Sequence, residues 1–164
     1  NTLTQGALLR ILNDMADLTR FREKIGETYT SDWMEIDQAR VNTFADITVD
    51  HNFIHVDVDR SKAETPFGGT IAHGFLSLSL LSHFAEQCLP GFPDGAVPIN
   101  YGFDKLRFAA PVPVGSRIRG KFTFAGIEER KPGQVLMRMD ARVEIEGGDR
   151  PALRAEWLTL LLFV

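Results

Sequence analysis

The sequence predicts an α+β domain in which a curved antiparallel sheet wraps around one long central helix, with an extra helix at the N-terminus. Three observations carry this. The first half places apolar residues at three- and four-residue steps, and the second half changes to alternating and β-branched runs. Between them, residues 71–89 are apolar on nearly every face, as in a helix enclosed by other elements. With 164 residues the chain suits one domain with a real core.

The elements follow in order. Leu8, Ile11, Leu12, Met15, Leu18 and Ile25 alternate with Arg10, Asn13, Asp14 and Arg20, an amphipathic helix ending near Gly26. Residues 1–26 are therefore set apart from a main domain over 27–164. Residues 27–36, with Tyr29, Trp33 and several Thr and Ser, suit a short strand. Asp37 then caps a helix with a buried face of Val41, Phe44 and Ala45, which delivers Asp50 to a loop. Residues 57–69 are polar, with Pro66, Gly68 and Gly69, and read as a loop with one helical turn.

In the central helix Ile71, Phe75, Leu78, Ser82 and Ala85 form one row, Leu76, Leu80, Leu81 and Phe84 cover the rest, and Pro90, Gly91 and Pro93 end it. Strands are expected over 99–108, 117–128, 135–146 and 153–163. They are separated by Pro111-Val112-Pro113-Val114-Gly115, Lys131-Pro132-Gly133 and Gly147-Gly148-Asp149. Met137, Met139, Ala141, Val143 and Ile145 alternate with Arg138, Asp140, Arg142 and Glu144, giving that strand one buried and one wet face.

Charge and composition narrow the function. The net charge is −4, and no run of Lys or Arg supplies the field that nucleic-acid binding needs. Cys88 is the single cysteine, so no intrachain disulfide forms, in keeping with a reducing compartment. No apolar run approaches the roughly 18–20 residues of a membrane span, and the first residues lack the basic-then-apolar order of a signal peptide. The expectation is a cytoplasmic protein with neither nucleic acid nor membrane as partner.

The chemistry concentrates between Asp50 and Gly74. Asp50 and His55, five residues apart, form a candidate proton-transfer pair. Gly74 heads the central helix, where a free backbone N–H can receive developing negative charge and the missing side chain lets a substrate approach. Such a set suits adding water to, or removing it from, a conjugated thioester. Asn52 reads first as a loop-shaping residue and second as a substrate contact, Asp57 as a cap or turn bond, and His73 as a packing or hydrogen-bonding group at the helix start. A metal site is not expected. His51 and His55 have a metal-ligand spacing, but Asn52 stands where a metalloprotease motif needs Glu, and a calcium loop from Asp57 fails at Lys62 and Gly68. Cys88, at the end of a buried helix, reads as inert, and no Gly-x-Ser-x-Gly occurs.

Four stretches together resemble one family. They are Phe44-Ala45, Asp50-x-Asn52-x-Ile54-His55-x-Asp57, Phe67-Gly68-Gly69-Thr70-Ile71-Ala72-His73-Gly74, and Leu106-Arg107-Phe108 followed by Pro111-Val112 and Gly115. In this order they resemble the MaoC-like dehydratases of the hot-dog fold, a group that includes (R)-specific enoyl-CoA hydratases and nodulation N-type proteins. The resemblance implies a curved sheet around a central helix and, with one repeat, a homodimer. It implies that Asp50 and His55 activate one water, that the Gly74 amide binds the thioester oxygen, and that Ser82, eight residues further on, sits close to the pair as it does in some relatives. Hydratases of the family often have Gly where Val49 stands and Pro where Phe53 stands, and an aromatic there resembles the nodulation N-type branch.

The expected activity is thus reversible hydration of a trans-2-enoyl-CoA to an (R)-3-hydroxyacyl-CoA. No cofactor is expected, coenzyme A being part of the substrate. Lys105, Arg107, Arg117 and Arg119 are conceivable phosphate contacts, with a solvated strand face as the other reading. The alternatives are a hot-dog thioesterase, and a non-catalytic subunit that binds an acyl thioester or has a structural role.

Overall fold

The computed structural model describes residues 18–163. The expected helix from Leu8 to Met15 lies outside the described residues. Its continuation, residues 18–23, is helical, and Leu18 and Phe21 are buried against the sheet. Phe21 meets Phe124 edge to face at 5.9 Å.

Strands β1 (Thr28–Thr30) and β2 (Met34–Glu35) are followed by helices α1 (Gln38–Thr48), α2 (Phe53–Val56), α3 (Val58–Glu64), α4 (Gly74–Ser79) and α5 (Leu81–Cys88). Then come β3 (Ala96–Phe108), β4 (Arg117–Lys131), β5 (Gln134–Ile145) and β6 (Leu153–Phe163). One antiparallel sheet runs β1-β4-β5-β6-β3, with β2 also on β4. The architecture is the hot-dog fold, an open, curved antiparallel sheet with helices against it. Register shifts in β3, between Asn100 and Gly102 and between Asp104 and Arg107, and in β4 between Phe124 and Gly126, are the bulges that bend such strands.

The long strands form where the period-two pattern and the Pro/Gly punctuation place them. On β5, Met137, Met139, Ala141 and Val143 are all buried, and the alternate charged residues face out. Helix α5 lays Leu81 and Phe84 on this face beside Phe122, Ile118 and Leu153. Burying each such side chain contributes roughly 1.5–3 kcal/mol. Gly120 permits this approach, because a Cβ there would lie 2.6 Å from the Cβ of Phe84. Among the described residues no helix is long and apolar enough to cross a membrane.

Three local expectations are corrected. Residues 27–36 make two strands instead of one, because at buried Ser31 the hydroxyl accepts the Gly120 N–H at 2.9 Å and interrupts the ladder. Residues 57–69 are mostly helix α3. The Asp57 carboxylate caps it by accepting the Arg60 N–H at 3.0 Å, and the buried Ser61 hydroxyl donates to the Gly69 carbonyl at 2.7 Å. The central helix begins at Gly74 and not at Ile71. The Ile71 N–H bonds to the Ile54 carbonyl and the Ala72 N–H to that of Val112, so this segment spends its backbone on helix α2 and on the chain before β4. The helix is also broken at Leu80 into α4 and α5, and Phe75, expected inside, is 65% exposed.

Candidate active site

Helix α1 ends at Val49, a left-handed residue with φ 59°, whose N–H returns to the Ala45 carbonyl. That turn releases Asp50 into the expected loop. The Asn52 side-chain oxygen then accepts the Ile54 N–H at 3.3 Å and caps α2, which carries His55. Asn52 is exposed and does not line the cavity described next. Its observed role is the loop-shaping one.

Asp50, His55, His73, Gly74, Ser77 and Phe108 share a cavity of about 410 Å³. One ligand-type atom each from Asp50, His55 and His73 lies within 4.8 Å of the others. His55 is 8% exposed, and its Nδ1 lies 2.7 Å from the Ile71 carbonyl. A carbonyl only accepts, so Nδ1 carries the proton and Nε2 of the neutral ring keeps its lone pair. Burial pushes the His55 pKa below its ordinary value of 6.5, and His73 adds to this, while the Ile71 bond and the Asp50 charge oppose it. The imidazole is thereby kept neutral and able to take a proton.

His73 is buried and stacks on His55, with ring centroids 3.8 Å apart and an interplanar angle of 27°. Its Nε2 donates to the Asp50 backbone carbonyl at 2.9 Å. Its Nδ1 is buried and, among the described residues, has no hydrogen-bond partner. His73 thus holds the Asp50 loop and the His55 ring together, the hydrogen-bonding role expected at the helix start. The stack also bears on metal binding. In-plane lone pairs of two nearly parallel, stacked rings do not converge on one ion. The geometry suits a water molecule between the groups better than a metal.

Gly74 is the first residue of α4, so its N–H has no acceptor within the helix. A Cβ at Gly74 would stand 3.0 Å from the Phe108 ring. Asp50, His55 and Gly74 are therefore brought together as expected, and Ser82 is not. Ser82 is exposed and lines a different cavity, of about 450 Å³, with Trp157 and Asn100. The serine at the Asp50 cavity is Ser77, which is buried. Its spacing of three from Gly74 on a helix was the signal that could have found it. Gln38 was also missed. Its amide donates to the His55 carbonyl at 2.7 Å and accepts from the Thr70 hydroxyl at 2.6 Å, which fixes the helix of His55 to the segment leading to Gly74.

Fold and site together define a hot-dog domain with an acid–imidazole pair at the head of its central helix. The chain belongs to the MaoC like domain family, whose profile matches residues 20–145. It is 47% identical over 137 residues to nodulation protein N of Rhizobium meliloti, covering 84% of this chain and 85% of that protein. It is 45% identical over 149 residues to 3-hydroxyacyl-thioester dehydratase Z of Mycobacterium tuberculosis, covering 90% of this chain and 95% of the relative. Among solved structures, the (R)-hydratase from A. caviae involved in PHA biosynthesis superposes with a TM-score of 0.67 at 28% identity, over 82% of this chain and 94% of that one.

Proposed function

We propose that this protein hydrates trans-2-enoyl-CoA reversibly to (R)-3-hydroxyacyl-CoA. The observation that carries the reading is the neutral, buried His55 with a free Nε2, within 4.8 Å of the Asp50 carboxylate, in the cavity headed by the Gly74 amide. In the forward direction water attacks C3 as His55 Nε2 takes its proton, and Asp50 orients the water and balances the imidazolium. The electron pair moves through C2 to the thioester oxygen, where the Gly74 N–H receives it. The proton then goes to C2, so one water is consumed and nothing is left over. General acid–base groups of this kind contribute roughly 10²–10⁴-fold. No cofactor enters, and coenzyme A comes with the substrate.

The protein is further proposed to be cytoplasmic and homodimeric. Among the described residues strand β3 ends the sheet with a free edge, and Val97, Ile99, Tyr101 and Phe108 on it are exposed, an apolar margin that a second copy would cover. Ser82, on the cavity bordered by β3, would then meet the partner and not its own Asp50.

The test follows one trans-2-enoyl-CoA by loss of the conjugated absorbance and, in parallel, by release of free thiol. Loss of absorbance with an (R)-3-hydroxyacyl product and no thiol is the expected result. Thiol release would replace the reading with the thioesterase, and binding without either signal would replace it with the non-catalytic subunit.

A further inference from the structure

The outer face of the sheet carries a row of like charge that the sequence pattern alone does not show. Lys121 on β4 is opposite Arg142 on β5, Arg142 is opposite Arg154 on β6, and Arg154 is opposite Arg107 on β3. Directly opposed residues share a face, so four cations stand side by side across four strands. Like charges placed this way repel, and in a chain of net charge −4 their accumulation is not a by-product of composition.

Some cations of this face, Lys121 of the row among them, are neutralised within the fold. Lys105 pairs with Glu156, Arg117 with Glu146, and Arg119 and Lys121 with Glu144. Arg142, Arg154 and Arg150 have no carboxylate within 4.0 Å among the described residues. These three arginines line a cavity of about 370 Å³ formed by the β5–β6 hairpin, together with Arg119, which is stacked on Trp33 at 4.3 Å and paired with Glu144; Glu144 and Asp149 are the acidic residues of the lining, so four arginines there face two carboxylates. The cavity also adjoins the catalytic one. Pro151 lines the arginine cavity and Ala152, the next residue, lines the Asp50 cavity, as does Phe108, the neighbour of Arg107.

We infer that this arginine cavity binds the phosphate groups of the coenzyme A portion of the substrate, an inference that rests on the hydratase reading above. Guanidinium groups fork onto phosphate oxygens, and several unpaired ones in a concave site match a ligand with a diphosphate and a further phosphomonoester. The flexible pantetheine arm would pass over the 150–152 turn, carrying the thioester to Gly74 on its other side.

The experiment compares wild type with the double variant Arg142→Ser/Arg154→Ser on crotonyl-CoA and on crotonyl-pantetheine, which lacks the phosphates, alongside calorimetric titration with coenzyme A. Both residues are exposed, and a melting curve no lower than wild type's is expected because a repulsive pair is removed. The expected result is a KM for crotonyl-CoA raised at least ~10-fold, weaker coenzyme A binding, and crotonyl-pantetheine kinetics within about twofold of wild type. Should the double variant fail to fold, Arg150→Ser in the turn reads the same contrast. Equal losses on both thioesters, or unchanged coenzyme A affinity, would overturn the inference and leave the hydratase reading standing. If wild type turned over neither thioester, the hydratase reading would fall, and the calorimetric comparison of wild type with the variant would still decide the site.

Discussion

Two glycines flank the central helix and do opposite work. At Gly120 an added Cβ would fall 2.6 Å from the Cβ of Phe84, an atom fixed to the α5 backbone in the best-buried part of the core. At Gly74 it would fall 3.0 Å from the ring of Phe108, a half-exposed side chain at the rim of the Asp50–His55 cavity. The first absence of a side chain sets how close helix and sheet lie, and the second keeps a backbone N–H open. The helix is thus a packing element in α5 and, on the proposed mechanism, a reaction element at the head of α4.

The comparison is broken most forcefully at the core. Gly120→Ala is expected to cost about 1–3 kcal/mol by overpacking and to lower the melting temperature by several degrees. Unchanged melting would mean that the close approach is not a constraint. Gly74→Ala should do the reverse, with kcat/KM for hydration falling ~10-fold or more as the oxyanion donor is crowded, and melting shifted by no more than a degree or two. A stability loss equal to that of Gly120→Ala would erase the distinction between the two positions.

A smaller effect follows from His55. Its folded-state pKa lies below 6.5, so its stabilising contribution is present above pH 6.5 and is lost as the pH falls from there through the depressed value. The acid limb of kcat/KM, a property of the Asp50–His55 pair, should likewise have its midpoint below 6.5. A limb centred above 6.5 would contradict a neutral buried ring. Smallest is Val49→Gly, which relieves a left-handed β-branched residue at φ 59° and should stabilise by about 0.5–1 kcal/mol with activity unchanged. A destabilised Val49→Gly would show that the loop bearing Asp50 is held by something other than that turn.

The four long strands were legible because one buried face forces period-two alternation, and Pro and Gly mark their ends. The head of the central helix was not. Hydropathy assigns Ile71 and Ala72 to an apolar segment but is silent on their N–H groups, which are taken by the Ile54 and Val112 carbonyls. Helix α3 was hidden for the opposite reason, since a mostly polar segment has no apolar stripe and is held by the Asp57 cap and Ser61. At the site, Asp50, His55 and Gly74 were readable as residue types whose chemistry fits together. Gln38 and the His73–Asp50 bond span 17 to 32 positions along the chain, and only folding reveals them. Ser82 illustrates a residue placed by resemblance that the single chain does not bring to the pair, whereas Ser77 is brought there by the turn of the helix.

The central claim is that Asp50 and His55 act on one water, and it is tested most directly by hydration of a trans-2-enoyl-CoA by wild type, Asp50→Asn and His55→Ala, each confirmed folded. Turnover by wild type with losses of at least ~100-fold in both variants and near-native melting is the predicted result. Variants as active as wild type would contradict it.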